Sequence, residues 1–320
     1  MTSEANALQS STQAKTEKEA TPNALVDSIN AAFGRYPRAR AVHAKGTVVH
    51  GSFSATPRAA ELSVAPHLQG SPVPLTVRFS NFGPDPATSD VAEHGGPRGM
   101  AIRFHLSDGS EADMVTHSYN GFPTATAAEF RELMLAIAAS RVAVGSPTPL
   151  ETFFETHPAA RPFLEAPNWP PVSYGTIQYF GVNAIRLTNP AGRSTVGRFR
   201  LQPRLGEQFL SAEQRRVPGP DYLQDELRER LARGPIEFSL TLQVAEPGDA
   251  VADPSIVWPE SRTLVDLGRL TLDRVAADSA TLEQALLFNP AALPSGIEAV
   301  DPMLQVRSKA YPESYDRRHR

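Results

Sequence analysis

Ile236-Glu237-Phe238-Ser239-Leu240-Thr241-Leu242-Gln243-Val244 places an apolar side chain at every second position and a polar one between each pair. Successive side chains of a strand point to opposite faces, so this period of two predicts a β-strand with one buried face. Similar segments occur at 46–54, 74–80, 99–106, 111–118, 174–188, 194–202 and 262–272, each bounded by Gly, Pro, Asn or Asp. Those residues favour turns over continued pairing. Eight strand-like segments predict a closed antiparallel β-barrel, the arrangement that leaves no strand edge open. Helical periodicity is confined to 24–34, 126–140, 220–233 and 279–288; in the second, Thr126 is a candidate cap and Phe130, Leu133, Met134 and Ile137 share one face. The expected class is α+β, mainly β, an eight-stranded barrel with flanking helices. The Pro-rich stretches 143–149 and 158–171 read as ordered surface connections, and 245–261 as a long loop.

At 320 residues and 34.6 kDa the chain can bury a full core. The expected organisation is a flexible tail over 1–22 and a single domain over 23–320. The tail is rich in Ser, Thr, Ala, Lys and Glu and lacks the apolar stretch of a secretory signal, which points to a cytoplasmic protein. The formal net charge is -4, and no run of Lys and Arg is dense enough to suggest nucleic acid or a membrane surface as partner. No apolar run approaches the roughly 20 residues needed to cross a bilayer. Cysteine is absent, which excludes disulfides, iron-sulfur clusters, thiolate-ligated or covalently attached haem and Cys-rich zinc sites. Any metal must rest on His, Tyr or carboxylates. No two of the eight histidines have the i,i+4 spacing of a helical metal pair. A lone histidine is ordinarily a surface or hydrogen-bonded structural residue.

His43 departs from that expectation through its neighbours. Arg40-Ala41-Val42-His43-Ala44-Lys45-Gly46 resembles the distal-histidine segment of haem catalases, and the resemblance continues in order down the chain. Val77-Arg78-Phe79-Ser80, Gly96-Pro97-Arg98-Gly99-Met100-Ala101 and Asp113-Met114-Val115 follow. Near the C-terminus come Phe288-Asn289-Pro290, Pro294-Ser295-Gly296-Ile297-Glu298, Asp301-Pro302-Met303-Leu304-Gln305-Val306-Arg307 and Tyr311-Pro312-Glu313-Ser314, the last resembling the block that holds the proximal tyrosine. Weaker similarity runs through 174–202, so the match spans most of 36–318. Typical catalases are much longer; the pattern is that of small catalase-related peroxidases, which keep the barrel and the haem helices.

The resemblance implies one haem b with Tyr311 as its iron ligand and Arg307 beside the phenolic oxygen. A phenol, with an ordinary pKa of about 10, ligates well only as phenolate, which a guanidinium four residues away on a helix would favour. Pro312 disfavours helical geometry at Tyr311, so the expectation is proximity without an ideal helix. A surface ion-pair helix bearing a half-buried tyrosine is the plainer alternative. The resemblance also implies that Arg40 and Arg78, with Arg318 as a third, bind the haem propionates, for which guanidinium is the best-matched side chain. Ser80 would orient the His43 imidazole, which takes a proton from the peroxide and returns it to the leaving oxygen. Val42 would narrow the approach to the iron, and Phe130, with Phe122 less so, would lie against the haem.

The departure from the family follows Val115. Catalases read Gly-Asn-Asn-Thr-Pro there, with the first asparagine facing the peroxide, whereas this chain reads Thr116-His117-Ser118-Tyr119-Asn120. An ungapped register puts His117 at that position; a local insertion would put Asn120 there. Without the asparagine a second hydrogen peroxide is held poorly. The leading expectation is therefore a peroxidase that reduces hydrogen peroxide or organic hydroperoxides with a small organic reductant. The alternatives are a true catalase and a non-enzymatic haem carrier or sensor; an oriented His43–Ser80 pair argues against the last. Without a long wrapping arm, a homodimer or a monomer is expected.

Overall fold

The computed structural model describes residues 20–92, 96–167, 169–216 and 219–320. Its strands are β1 (Gly46–Ala55), β2 (Val73–Asn81), β3 (Arg98–His105), β4 (Glu111–His117), β5 (Tyr179–Phe180), β6 (Ile185–Thr188), β7 (Ser194–Pro203), β8 (Ile236–Val244), β9 (Leu264–Val275) and β10 (Ile297–Ala299). Hydrogen bonding runs in the order β1, β2, β3, β4, β5, β7, β8, β9, and β9 returns to β1, closing an antiparallel barrel of eight strands. β6 and β10 form a short ribbon outside the ring, β6 on β7 and β10 on β6. Register shifts at His50/Gly51 and Leu240/Thr241 are the bulges through which β9 bends around the closure.

The period of two in β8 becomes the barrel interior: Ile236, Phe238, Leu240 and Leu242 are all fully buried. They meet Val77, Phe79, Met100 and Ile102 from the opposite wall in one continuous core. Phe79 stacks on Tyr174 with ring centroids 5.1 Å apart, and Phe238 lies edge-on to Tyr179 at 5.9 Å. Burying each such side chain contributes about 1.5–3 kcal/mol. β2 is buried at every position from Leu75 to Asn81, on both faces, so something covers its polar side.

That cover is helical. The helices are α1 (Pro22–Phe33), α2 (Pro57–Leu62), α3 (Ala127–Ser140), α4 (Pro149–Thr156), α5 (Ala160–Glu165), α6 (Tyr222–Arg233), α7 (Ser279–Ala285) and α8 (Met303–His319). α1 packs on α3 and α8, and α7 on β1. α6 lays Leu223, Leu227 and Leu231, one face at i,i+4 spacing, onto the barrel core. Among the described residues no helix is long and apolar enough to cross a membrane.

Several sequence expectations change. The tail expected over 1–22 lies outside the described residues as far as 19; Thr21 Oγ1 already accepts from Ala24 N and starts α1. The strand expected over 174–188 is a 3₁₀ turn at Tyr174–Thr176, capped by the Ser173 side chain, followed by β5 and β6. Of the two connections expected from proline, 158–171 contains α5, and α4 begins at the last residue of 143–149. α8 runs through Pro312 without interruption, braced by the Glu313–Arg317 pair at 2.6 Å and the Arg307–Tyr311 hydrogen bond.

Candidate active site

The polar face of β2 to β4 forms one wall of a cavity of about 180 Å³, lined among others by Arg78 and Ser80 of β2, Gly99 and Ala101 of β3 and Val115 of β4. Register makes this one surface: Ser80 pairs with Gly99 and Gly99 with His117, while Arg78 pairs with Ala101 and Ala101 with Val115. Arg40, Ala41, Val42 and His43 close a second side, and Ala310, Tyr311, Ser314 and Arg318 of α8 the side opposite.

His43 sits just before β1 with a φ of +56°, a left-handed conformation uncommon for a residue with a side chain. Two hydrogen bonds hold it: its N–H donates to Phe82 O at 2.7 Å, and its carbonyl accepts from Arg78 Nη2 at 2.6 Å. The imidazole Nδ1 lies 3.0 Å from Ser80 Oγ, and the Phe82 ring stands edge-on at 5.5 Å. Gly99 makes the room: a Cβ there would lie 2.5 Å from Ser80 Oγ and 2.8 Å from His43 Nδ1. Burial, then the charges of Arg78, His117, Arg307 and Arg40, hold the imidazole pKa well below its ordinary 6.5. It is therefore neutral at neutral pH, and with Nδ1–H donating to Ser80, Nε2 is left as the free base.

Across the cavity, Arg307 donates from Nη2 to Tyr311 Oη at 2.9 Å and from Nη1 to Asn183 Oδ1 at 2.6 Å. Asn183 Nδ2 in turn donates to Asp301 Oδ2 at 2.7 Å, and Asp301 Oδ1 accepts from Met303 N at the start of α8. The guanidinium is thus fixed by a chain of buried partners running back to the β6–β10 ribbon.

Arg40, Arg78 and Arg318 gather at one end. Arg78 Nε donates to Glu283 Oε2 at 2.6 Å, its Nη2 also reaches Glu283, and Arg40 Nη1 donates to Glu283 Oε1 at 3.0 Å. Arg318 Nη2 donates to the carbonyls of Gln284 and Leu286, and its buried Nε has no partner. Burial pushes the Glu283 carboxyl up, but Arg78 foremost, with Arg40 and Arg318, outweighs burial and brings it below its ordinary value. Three guanidinium charges then face one carboxylate. Burial and the charge of Arg78 push Arg40 down to about 8, and the same causes push Arg318 to about 10. A guanidinium does not lose its proton in proteins, so three buried cations remain here with one carboxylate among them. The two propionates of a haem would supply the missing negative charge, and Tyr311 is the available iron ligand. Among the described residues no group of three His, Cys, Asp or Glu is placed to hold a metal.

His117 shares the face of β4 that carries Val115 and pairs with Gly99. Its Nδ1 accepts from Tyr119 N at 3.3 Å, and its buried Nε2 has no partner. Burial, then Arg307, pushes it down to about 3. Neither His117 nor Asn120 is among the residues lining the cavity. Neither are Phe130 and Phe122; they stack on each other at 5.4 Å within the helical clusters between α1 and α3, and Phe288 provides the aromatic wall instead. The sequence reading missed Glu283, Asn183 and Asp301. Asp301 stands in a quoted block, but its partner Asn183 is 118 positions away.

A family model described as catalase matches residues 23–320. A catalase-related peroxidase of Mycolicibacterium paratuberculosis is 38% identical over 92% of this chain and 93% of its own. One of Synechococcus elongatus is 32% identical over 94% of this chain and 89% of its own. Among solved structures, a fungal catalase superposes with a TM-score of 0.76 at 23% identity, over 88% of this chain and 59% of that one. Catalase A of Saccharomyces cerevisiae gives 0.75 at 20%, over 88% and 61%. The chain spans about three-fifths of these larger catalases, which share its fold.

Proposed function

The chain belongs to the catalase family, which implies haem, and on that premise we propose that it is a haem b peroxidase reducing hydrogen peroxide or organic hydroperoxides with an organic electron donor. The observation that carries this is one cavity with an Arg307–Tyr311 pair on one wall and a Ser80-oriented His43 on the other. The absence of cysteine leaves non-covalent haem b as the fitting form.

Haem bound here supplies an iron at which peroxide binds and a store of oxidising equivalents. Tyr311 gives that iron an oxygen ligand, and Arg307, locked by Asn183 and Asp301, donates to the same oxygen and favours its anionic form. Arg40, Arg78 and Arg318 hold the propionates, with Glu283 keeping the guanidinium groups spaced. His43 Nε2 takes the hydroperoxide proton and returns it to the outer oxygen, which leaves as alcohol or water. Ser80 keeps that nitrogen free by engaging Nδ1. In balance, one hydroperoxide and two donors, each giving one electron and one proton, yield one alcohol, one water and two donor radicals.

Disproportionation of hydrogen peroxide needs a second peroxide held beside the distal base. His117 stands where the larger catalases carry an amide, and this favours an organic donor over a second peroxide. The test is Tyr311→Phe: the purified variant is expected to lose most of its haem and the high-spin ferric spectrum of phenolate ligation, with the fold retained. Wild-type haem content and spectrum would overturn the assignment. In the wild type, donor oxidation is expected to exceed oxygen evolution by far; the reverse would make the protein a catalase.

A further inference from the structure

Beyond the arginines that suit the propionates, the cavity widens between α1 and the end of α8 into a mouth of about 770 Å³. The two spaces share Val26, Arg40, Ala41, Ser314 and Arg318, so the mouth opens onto the propionate end. Arg35, Arg38, Arg40, Arg317, Arg318 and Arg320 line it, and no Asp or Glu does so among the described residues. This contrasts with a chain whose net charge is -4.

Local pairing separates these arginines. Arg317 is matched, 2.6 Å from Asp27 and 2.6 Å from Glu313. Arg40 and Arg318 belong with Arg78 to the inner set, where Glu283 and two propionates would complete the balance. Arg35, Arg38 and Arg320 remain, none with an Asp or Glu partner among the described residues, and Arg35 and Arg38 lie together on one segment; Arg35 Nη2 reaches only the carbonyl of Arg317, at 3.4 Å. Arg35 and Arg38 are both exposed and line the same mouth. Two forked, always-charged donors at the entrance to an apolar cavity attract and orient a small planar anion with paired oxygens. An electron donor needs to reach only the edge of the haem, whereas the peroxide must reach the iron beside His43. The mouth therefore suits the donor.

We propose that this mouth binds the reductant, and that the reductant is a small organic anion, a carboxylate or enediolate, in preference to a neutral phenol. The proposal rests on the peroxidase reading. With ascorbate as the donor, two monoanions each lose one electron and one enediol proton and leave as radical anions. Those two electrons and two protons reduce the hydroperoxide to alcohol and water.

The probe is ascorbate itself, with the resting ferric holoenzyme and no peroxide. Paramagnetic broadening of its proton resonances is expected to saturate with enzyme, and in R35Q/R38Q the dissociation constant is expected to rise about tenfold. The Soret absorbance per chain reports that the variant is folded and loaded. In turnover with cumene hydroperoxide, the ratio of kcat/KM for ascorbate to that for neutral guaiacol is expected to fall about tenfold in the variant. Raising salt from about 20 to about 200 mM should lower the same ratio in the wild type. No saturable broadening, or an equal loss for both donors, overturns the proposal. Failure to oxidise either donor would instead break the peroxidase reading, and the broadening would still decide the site.

Discussion

The two faces of β2 to β4 make opposite use of the same alternation. Toward the barrel axis, Val77, Phe79, Met100 and Ile102 form a dry core in which each side chain meets apolar neighbours from the far wall. Toward the cavity, Arg78 and Ser80 are also buried, at 4% and 3% exposure, but among charges and hydrogen bonds. A polar face in a period-two strand is ordinarily solvated. Here it is roofed by α1, α7 and α8. The inner face supplies stability without specifying chemistry, whereas the outer face holds buried polar groups that need defined partners.

The two faces should therefore fail differently. His43→Ala is expected to slow reaction with hydroperoxide by about 10²–10⁴-fold while haem content and melting stay near wild type; stopped-flow rates check it. An unchanged rate would remove the division between the faces. Phe79→Ala, on the inner face, should cost about 3–5 kcal/mol of stability in denaturant titration, with the turnover of the molecules still folded little altered.

Acid should reach both regions. Burial holds His67, packed 4.6 Å from the Phe104 ring, down to about 4, and burial with Arg307 holds His117 to about 3, whereas both bind a proton near 6.5 when unfolded. The unfolded chain then takes up more protons below about 6.5, so unfolding free energy falls with pH, by about 3 kcal/mol for each at pH 4. Apoprotein unfolding at pH 7 and 4 measures their sum together with that of His43, which burial also holds low. His67→Gln should recover the barrel's share and leave that of His117; recovery of none of it would place the sensitivity entirely at the cavity. The smallest expected effect is that of His117→Asn, which should keep haem and gain a little oxygen evolution from hydrogen peroxide, read with an oxygen electrode.

The barrel was legible because its signal is local. β8 declares itself in nine consecutive residues, and the interior follows from closure. α4 was legible too and went unread: Thr148, Pro149 and Glu151 spell a capping box with proline in the first turn, and the structure forms both capping bonds. The site was legible only where family blocks were quoted. Glu283 was covered by a helical segment with nothing local to mark it, since its partners Arg40 and Arg78 are 243 and 205 positions away. The resemblance sets Phe130 against the haem, while in the helix Phe130 shares an apolar face with Leu133, Met134 and Ile137. That face packs on α1 and α4, which no local pattern reveals. The mouth was invisible for the same reason, its arginines arriving from residues 35–40 and 317–320.

Glu283 also bears on how the protein acquires its cofactor. Three guanidinium groups in an apolar wall would repel one another and strain the empty chain, but the carboxylate between Arg78 and Arg40 acts as a resident counter-ion. A haem's propionates would then meet guanidinium groups already held apart by one carboxylate. On such a scaffold haem binding would add to a charge arrangement already in place.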